Sequence, residues 1–339
     1  MLWFLGASPS TTLDKNIIYL IVKVIIYYLY PDVKKKSVFD NPLDFLYFSG
    51  MDDIKTFIAN ALSEDIGPGD ITTEALVSSR IKGKAEIIAK ERLVLAGTDA
   101  AREAFRQINP DVLFSAKYAD GDELSRGTVI ATIEGPRASL LTAERVALNL
   151  LQRLSGIATL TREYVKKIEG TKARIVDTRK TTPALRALEK YAVRVGGGKN
   201  HRFGLFDGIL IKDNHIVAVG SIKEAVKMAK EMAPHTLKIE VETENLEQVK
   251  EALAAGVDII MLDNMDTKNM TEAVKHIKGR ALVEASGGIN LSNVREVAET
   301  GVDFISVGAI THSARAMDIS MAISGQGSVV RGQKRKVRL

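Results

Sequence analysis

The sequence predicts an α/β protein: an incomplete α/β barrel preceded by a smaller α+β domain. Three observations predict it. After Lys172, short apolar strands recur at roughly 20–35 residues, the length of a βα unit. These strands are apolar on both faces, as in a parallel sheet covered by helices. Each one ends in polar or glycine residues, the arrangement of a barrel whose site lies at the carboxyl ends of its strands.

The elements follow in order. From Met51, the residues Ile54, Phe57, Ile58, Ala61 and Leu62 recur at helical spacing. Asp65-Ile66-Gly67-Pro68-Gly69-Asp70 is a turn cluster. Stretches 85–89 and 93–96 read as strands. Gly121-Asp122 and Gly127-Thr128 bracket another, and 129–133 is a further one, so 121–135 reads as a hairpin. Thr142 is read as the N-cap of a helix through Ala143, Val146, Leu150 and Leu151, with Ser155-Gly156 as a break and 158–168 as a second helix. The repeating strands then end successively in Asp177-Thr178-Arg179-Lys180, Lys212-Asp213-Asn214-His215, Glu242-Thr243, Asp263-Asn264, Ser286-Gly287-Gly288 and Gly308-Ala309. Six such strands are clear rather than the eight of a full barrel, hence an incomplete one.

Composition narrows the function classes. There is no cysteine, which excludes disulfides, thiolate metal sites and a cysteine nucleophile and fits a reducing cytoplasm. The net charge is +5, but residues 325–339 alone carry +5 through Arg331, Lys334, Arg335, Lys336 and Arg338, and the first fifty carry +1, leaving −1 for the body. A near-neutral body is not that of a nucleic-acid binder. The basic tail reads either as a solvated, disordered run or as an RNA or membrane contact. Residues 17–30 are apolar but interrupted by Lys23, and shorter than the ~20 residues of a membrane span. The stretch 1–50 therefore reads as a leader outside the folded chain, whether native or adventitious, with a weak membrane anchor as the other reading.

The strand ends carry the chemistry. Arg179, Lys180, His201, Arg202 and Lys212 converge on one mouth, on two strand ends and the glycine-rich loop 196–204. Cations so gathered repel one another unless an anion is bound, so the ligand should carry several negative charges. Arginine forks suit carboxylate or phosphate. A Schiff-base Lys212 is the rival reading, and it requires a desolvated lysine. Glu242 and Asp263, on neighbouring strand ends, suit magnesium, ribose hydroxyls or a developing cation. Ser286-Gly287-Gly288 and Gly308-Ala309, on the last two strand ends, are the phosphate candidates.

The segment DTRKTTPALRALEKYAVRVGGGKNHRFGLFDGILIKDNH, residues 177–215, closely resembles the signature of quinolinate phosphoribosyltransferases. So do EDIGPGDITT (64–73), ERVALNLLQRLSGIAT (144–159), IEVET (239–243), MLDN (261–264), EASGGI (284–289) and SVGAITHSARAMDISM (306–321). The resemblance implies an incomplete barrel of about seven strands with a smaller N-terminal α+β sandwich domain, over 161–314 and 51–160, then a C-terminal segment 315–339. It implies transfer of phosphoribosyl from phosphoribosyl pyrophosphate to quinolinate with decarboxylation, and Mg2+ as cofactor. It also implies a homodimer in the cytoplasm, with any higher oligomer left open and no nucleic acid or membrane partner. By the same resemblance Arg145 completes the partner's site. Arg179, His201, Arg202 and Lys212 hold the two carboxylates of quinolinate, with Thr178 in the same substrate-binding set and Lys180 near both substrate and pyrophosphate. Glu242 and Asp263 meet ribose and magnesium. Ser286, Gly287, Gly288, Gly308 and Ala309 hold the 5′-phosphate, with Val307 alongside. Lys180, Lys212, Glu242 and Asp263 form the catalytic set.

Overall fold

The computed structural model describes residues 51–78 and 80–324, so the expectations for 1–50 and for the basic tail lie outside the described residues. The smaller domain opens with helices α1 (Met51–Ile66) and α2 (Ile71–Leu76). Strands β1 (Lys82–Ala89) and β2 (Leu93–Val94), helix α3 (Thr98–Ile108) and strands β3 (Leu113–Ala116), β4 (Glu123–Leu124) and β5 (Val129–Pro136) follow. Along β1 every second residue is buried (Ala85, Ile87 and Ala89), the period that lays one face on a core. Helix α3 packs Ala100, Ala101, Ala104 and Phe105 into that core. Its first turn is satisfied by Asp120, which accepts from the amides of Gly97 at 2.7 Å and Thr98 at 3.2 Å.

Three sequence expectations are corrected here. The stretch 121–135 is not a hairpin: β4 pairs with β2, while β5 pairs with β1 and β3. The apolar faces of β4 and β5 seek different partners, and proximity in sequence does not decide the pairing. Nor is there a break at Ser155-Gly156. A single helix α4 (Arg137–Lys167) runs 31 residues without interruption. Gly156 serves close approach instead, since a Cβ there would lie 1.9 Å from the Arg315 carbonyl oxygen. Ser155 exchanges hydrogen bonds with the backbone of Ala96. Thr142 does not cap the helix; its hydroxyl donates to Asp70 at 3.1 Å.

The barrel follows: β6 (Arg174–Val176), α5 (Arg186–Val195), β7 (Ile209–Ile211), α6 (Asp213–Val219), α7 (Ile222–Met232), β8 (Ile239–Thr243), α8 (Leu246–Ala255), β9 (Ile259–Asp263), α9 (Thr267–Ile277), β10 (Leu282–Ser286), α10 (Val294–Glu299), β11 (Phe304–Ser306) and α11 (Ala309–His312). Six parallel strands run in the order β6-β11-β10-β9-β8-β7. The seventh place is filled only by Lys199, which forms a one-residue parallel bridge with Val176 beside β6. Helices α7, α8 and α9 begin where Ser221, Asn245 and Asp266 accept an amide hydrogen from the third helical residue. The last strand, β12 (Ile319–Ser324), leaves the barrel and pairs antiparallel with β1, completing a four-stranded sheet in the order β12-β1-β5-β3. No helix among the described residues is long and apolar enough to cross a membrane.

Candidate active site

A cavity of about 520 Å³ opens at the carboxyl ends of the barrel strands, within the ~300–1,000 Å³ usual for small-molecule sites. The loop after β6 gives it Thr178, Arg179 and Lys180; the glycine-rich loop gives His201 and Arg202; Lys212 follows β7. Glu242 and Asp263 end β8 and β9, and Ser286, Gly287 and Gly288 close the far side. The expected cationic, acidic and glycine groups are thus brought together. Arg145 is exposed on α4 and lies outside this lining. Val307 is buried, and Gly308 and Ala309 also stand outside the lining, with a Cβ built on Gly308 falling 3.2 Å from the Lys180 Cδ.

Two loops must hold their cations in place against mutual repulsion. Helix α5 does this with consecutive buried charges. Glu189 accepts from Thr182, at the end of the Arg179–Lys180 loop, through both amide (3.1 Å) and hydroxyl (2.8 Å), and is paired with Arg153 of α4 at 2.8 Å. Lys190 donates to Asp177 at 2.5 Å and to the His201 carbonyl at 3.0 Å. Asp177 also accepts from the His201 amide at 2.9 Å and from Asn200 at 2.6 Å. Burial draws Asp177 up and Lys190 down from their ordinary ranges, and their mutual attraction opposes both shifts. Arg186 joins the two loops, donating to Thr181 at 3.0 Å and to the Phe203 carbonyl at 3.0 Å.

The mouth itself is electrostatically poised for an anion. Burial and the adjacent Arg179 charge push the Arg202 guanidinium below its ordinary range, although it stays charged. Arg202 donates to the Gly208 carbonyl at 2.9 Å, while its Nε is buried without a partner. Lys212 pairs with Glu242 at 2.7 Å and its side chain is 46% exposed. A half-exposed, paired lysine is not the desolvated amine a Schiff base needs, so the rival reading gains nothing. Asp263 accepts from Asn264 at 2.6 Å. Gly287, at φ +88°, must be glycine: a Cβ would meet the Asn264 side chain at 2.2 Å.

Beneath the cations lies a layer that the sequence reading did not name. Glu240 and Glu284, two residues before Glu242 and Ser286 on their strands, point into the barrel and are 4% and 3% exposed. The His201 ring drops onto them: Nε2 lies 3.0 Å from Glu240 and 3.7 Å from Glu284. Nδ1 accepts from the Arg202 amide at 2.8 Å. Both His201 ring nitrogens are thus engaged within the protein, while the residue still lines the cavity. Burial lowers the His201 imidazole, but the Glu240 hydrogen bond and the charges of Glu284 and Glu240 outweigh it, and the net direction is up. Burial first, then the Glu240 charge, raise Glu284 to about 8. The signal for this layer was present in the strand alternation: acids at 240 and 284 share the inward face of the mouth residues two positions on. Leu210, Met261, Asn264 and Ser306 also line the cavity.

A second hollow, about 320 Å³, opens around Lys172, Asp258, Arg280 and Asp303. Three of its charged groups and Asp303 are engaged: Lys172 pairs with Asp303 at 2.7 Å, Asp258 accepts from the Ile239 amide, and Arg280 donates to the carbonyls of His276 and Ile277.

Fold and mouth together define a barrel protein that takes a multiply charged anion at its strand ends. Residues 70–155 match the family model of the quinolinate phosphoribosyl transferase N-terminal domain, and 157–322 that of its C-terminal domain. The "Probable nicotinate-nucleotide pyrophosphorylase [carboxylating]" of Bacillus subtilis is 49% identical over 271 residues, covering 80% of this chain and 93% of that protein. The "Quinolinate phosphoribosyltransferase [decarboxylating] 2b, mitochondrial" of Nicotiana tabacum is 39% identical over 303 residues, covering 84% and 86%. Among solved structures, the nicotinate-nucleotide pyrophosphorylase of Francisella tularensis superposes with a TM-score of 0.78 at 41% identity, covering 80% of this chain and 96% of that one. The chain belongs to the quinolinate phosphoribosyltransferase family.

Proposed function

We propose that the protein transfers phosphoribosyl from phosphoribosyl pyrophosphate to quinolinate with decarboxylation, giving nicotinate mononucleotide, CO2 and pyrophosphate for de novo NAD synthesis. The observation that carries this reading is the cavity in which Arg179, Arg202 and Lys212 face Glu242 and Asp263. The cations suit the two carboxylates of a pyridine diacid, and the carboxylates suit a ribosyl carbon that becomes cation-like. Ser286, Gly287 and Gly288 offer backbone amides to the 5′-phosphate. The pyridine nitrogen donates its lone pair to the ribosyl carbon as the bond to pyrophosphate breaks. The quaternised ring then loses the adjacent carboxylate as CO2, because the pair left on carbon is stabilised as an ylide until it takes a proton. Arg179 and Arg202 orient the diacid through this sequence, and Lys180 stands by the pyrophosphate.

Glu242 and Asp263 are hard oxygen donors on adjacent strands, a set that fits magnesium arriving with a phosphate ligand. Magnesium held there supplies positive charge to the departing pyrophosphate. The proposal includes a homodimer, in which the exposed Arg145 reaches the partner's mouth, and a cytoplasmic location, with which a cysteine-free sequence accords.

The test offers quinolinate and nicotinate in parallel to the full-length protein with phosphoribosyl pyrophosphate and magnesium. Nicotinate mononucleotide and CO2 from quinolinate alone is the expected result. Turnover of nicotinate alone would overturn the diacid reading. Replacing Arg179 or Lys212 by alanine should lower kcat/KM for quinolinate by about 100-fold or more, the order expected when a charge-assisted contact in a water-poor site is lost.

A further inference from the structure

We propose that the buried Thr311 hydroxyl is a positioning group: it ties the loop that carries Lys180 to the helix after β11, and so sets where the Lys180 ammonium meets the departing pyrophosphate. This rests on the function proposed above and assigns a part to Thr311 and Arg153, which that reading does not use. Strands β6 and β11 are parallel neighbours, and their pairing ends where the Val307 amide donates to the Val176 carbonyl at 3.0 Å. Past that point the backbones part. One turns through Thr178, Arg179 and Lys180 towards α5, and the other passes Gly308 directly into α11.

Side chains close a ring across this gap. Thr311 is 0% exposed, and its hydroxyl donates to the Lys180 carbonyl at 2.8 Å. Arg153 of α4 donates to the Thr311 carbonyl and, at 2.7 Å, to the Ala314 carbonyl. The same guanidinium holds Glu189, through Nε at 3.1 Å and Nη2 at 2.8 Å. Glu189 in turn holds Thr182, two residues after Lys180. The path from Lys180 through Thr311, Arg153, Glu189 and Thr182 thus returns to the loop it left. A helical threonine commonly donates to a carbonyl three or four residues back, and the Gly308 carbonyl does lie 3.1 Å away. A hydroxyl has one proton to give, however, and Lys180 is the nearer acceptor.

The consequence falls at the mouth. Lys180 lines the cavity, and its stem lies over Gly308, where a Cβ would fall 3.2 Å from the Lys180 Cδ. The spacing of the two backbones therefore fixes the stem. Without the Thr311 bond the loop is free to lift from Gly308 and carry the ammonium with it. A misplacement of about 1 Å in a site of this kind costs up to about 100-fold in rate.

The test uses the full-length protein. Thr311→Val keeps the shape and removes the hydroxyl, Thr311→Ser keeps the hydroxyl, and Lys180→Ala removes that side chain but keeps its carbonyl. Thr311→Val should lower kcat/KM for phosphoribosyl pyrophosphate about tenfold or more, and Thr311→Ser should stay within about threefold of the parent. In a Lys180→Ala background Thr311→Val should cost less than about twofold, the non-additivity expected when one residue acts through another. Should the valine variant fail to fold, Thr311→Ala takes its place under the same expectations. An equal loss in both backgrounds marks a hydroxyl with a general structural role and overturns the proposal, as does Thr311→Ser as impaired as Thr311→Val. A second reading needs no turnover: hydrogen exchange of the amides at 178–182. Thr311→Val should speed that exchange and Thr311→Ser should not; unchanged exchange in Thr311→Val sinks the tie. A parent without turnover whose exchange behaves as expected would reject the proposed function and leave the tie between the loops standing.

Discussion

At the residue scale, the site rests on a buried ion pair that lies outside the cavity lining. Lys190 is 1% exposed and Asp177 0%. Lys190→Met leaves Asp177 buried without its counter-ion, a loss of about 3–5 kcal/mol for such a pair, and the urea midpoint should fall accordingly. A midpoint within error of the parent would show that the pair is dispensable. Glu284 sets a pH dependence of the opposite kind to most acids. Its folded pKa is raised, so its contribution to stability is full below the ordinary carboxylate range and is lost as pH rises towards about 8. Glu284→Gln should therefore gain stability relative to the parent between pH 5 and pH 9, measured as the difference in urea midpoints. The cations and strand-end acids of the mouth were legible in the sequence because each follows an apolar run. Glu240 and Glu284 were not, because they sit inside such runs, where one acid among valines and isoleucines is read as noise unless the inward face is tracked.

At the element scale, α4 shows how composition misleads. A glycine after a serine reads as punctuation, yet Gly156 sits in an unbroken helix because the Arg315 carbonyl passes too close for any side chain. The two readings predict opposite signs for Gly156→Ala. If glycine were only a weak point, alanine would stabilise the helix by about 1 kcal/mol. The observed contact instead predicts a loss of about 1–3 kcal/mol from overpacking, seen as a lower melting temperature. Helix α5 carries a second message that local sequence does not print. Glu189 and Lys190 are adjacent, both buried, and each serves a different cation-bearing loop. Charges inside an amphipathic helix ordinarily read as its wet side. Here the loops fold over them, and only the tertiary arrangement reveals which face is which.

At the scale of the whole molecule, the barrel was legible from its strand repeat, and its incompleteness from the count of six strands against eight. What local pattern could not give was the return of β12 to β1, because strand pairing across the whole chain leaves no periodic mark. β12 covers the edge of β1 from Lys84 to Ala89. A chain ending at Asp318 should melt lower and aggregate with concentration relative to one ending at Ser324, since the bared edge invites other strands. Equal melting and equal solubility would show that β12 is ornamental. The same pairing has a temporal side. Lys84 meets Ser324 only after every barrel strand has been made. On the ribosome the first-born domain must therefore wait, its sheet one strand short, while the barrel is built out of its middle. Its last strand comes from the far end of the chain, a contact of long sequence separation that closes slowly. The smaller domain begins first and finishes last, and the barrel is in effect a long insertion in the chain of one sheet, before that sheet's last strand.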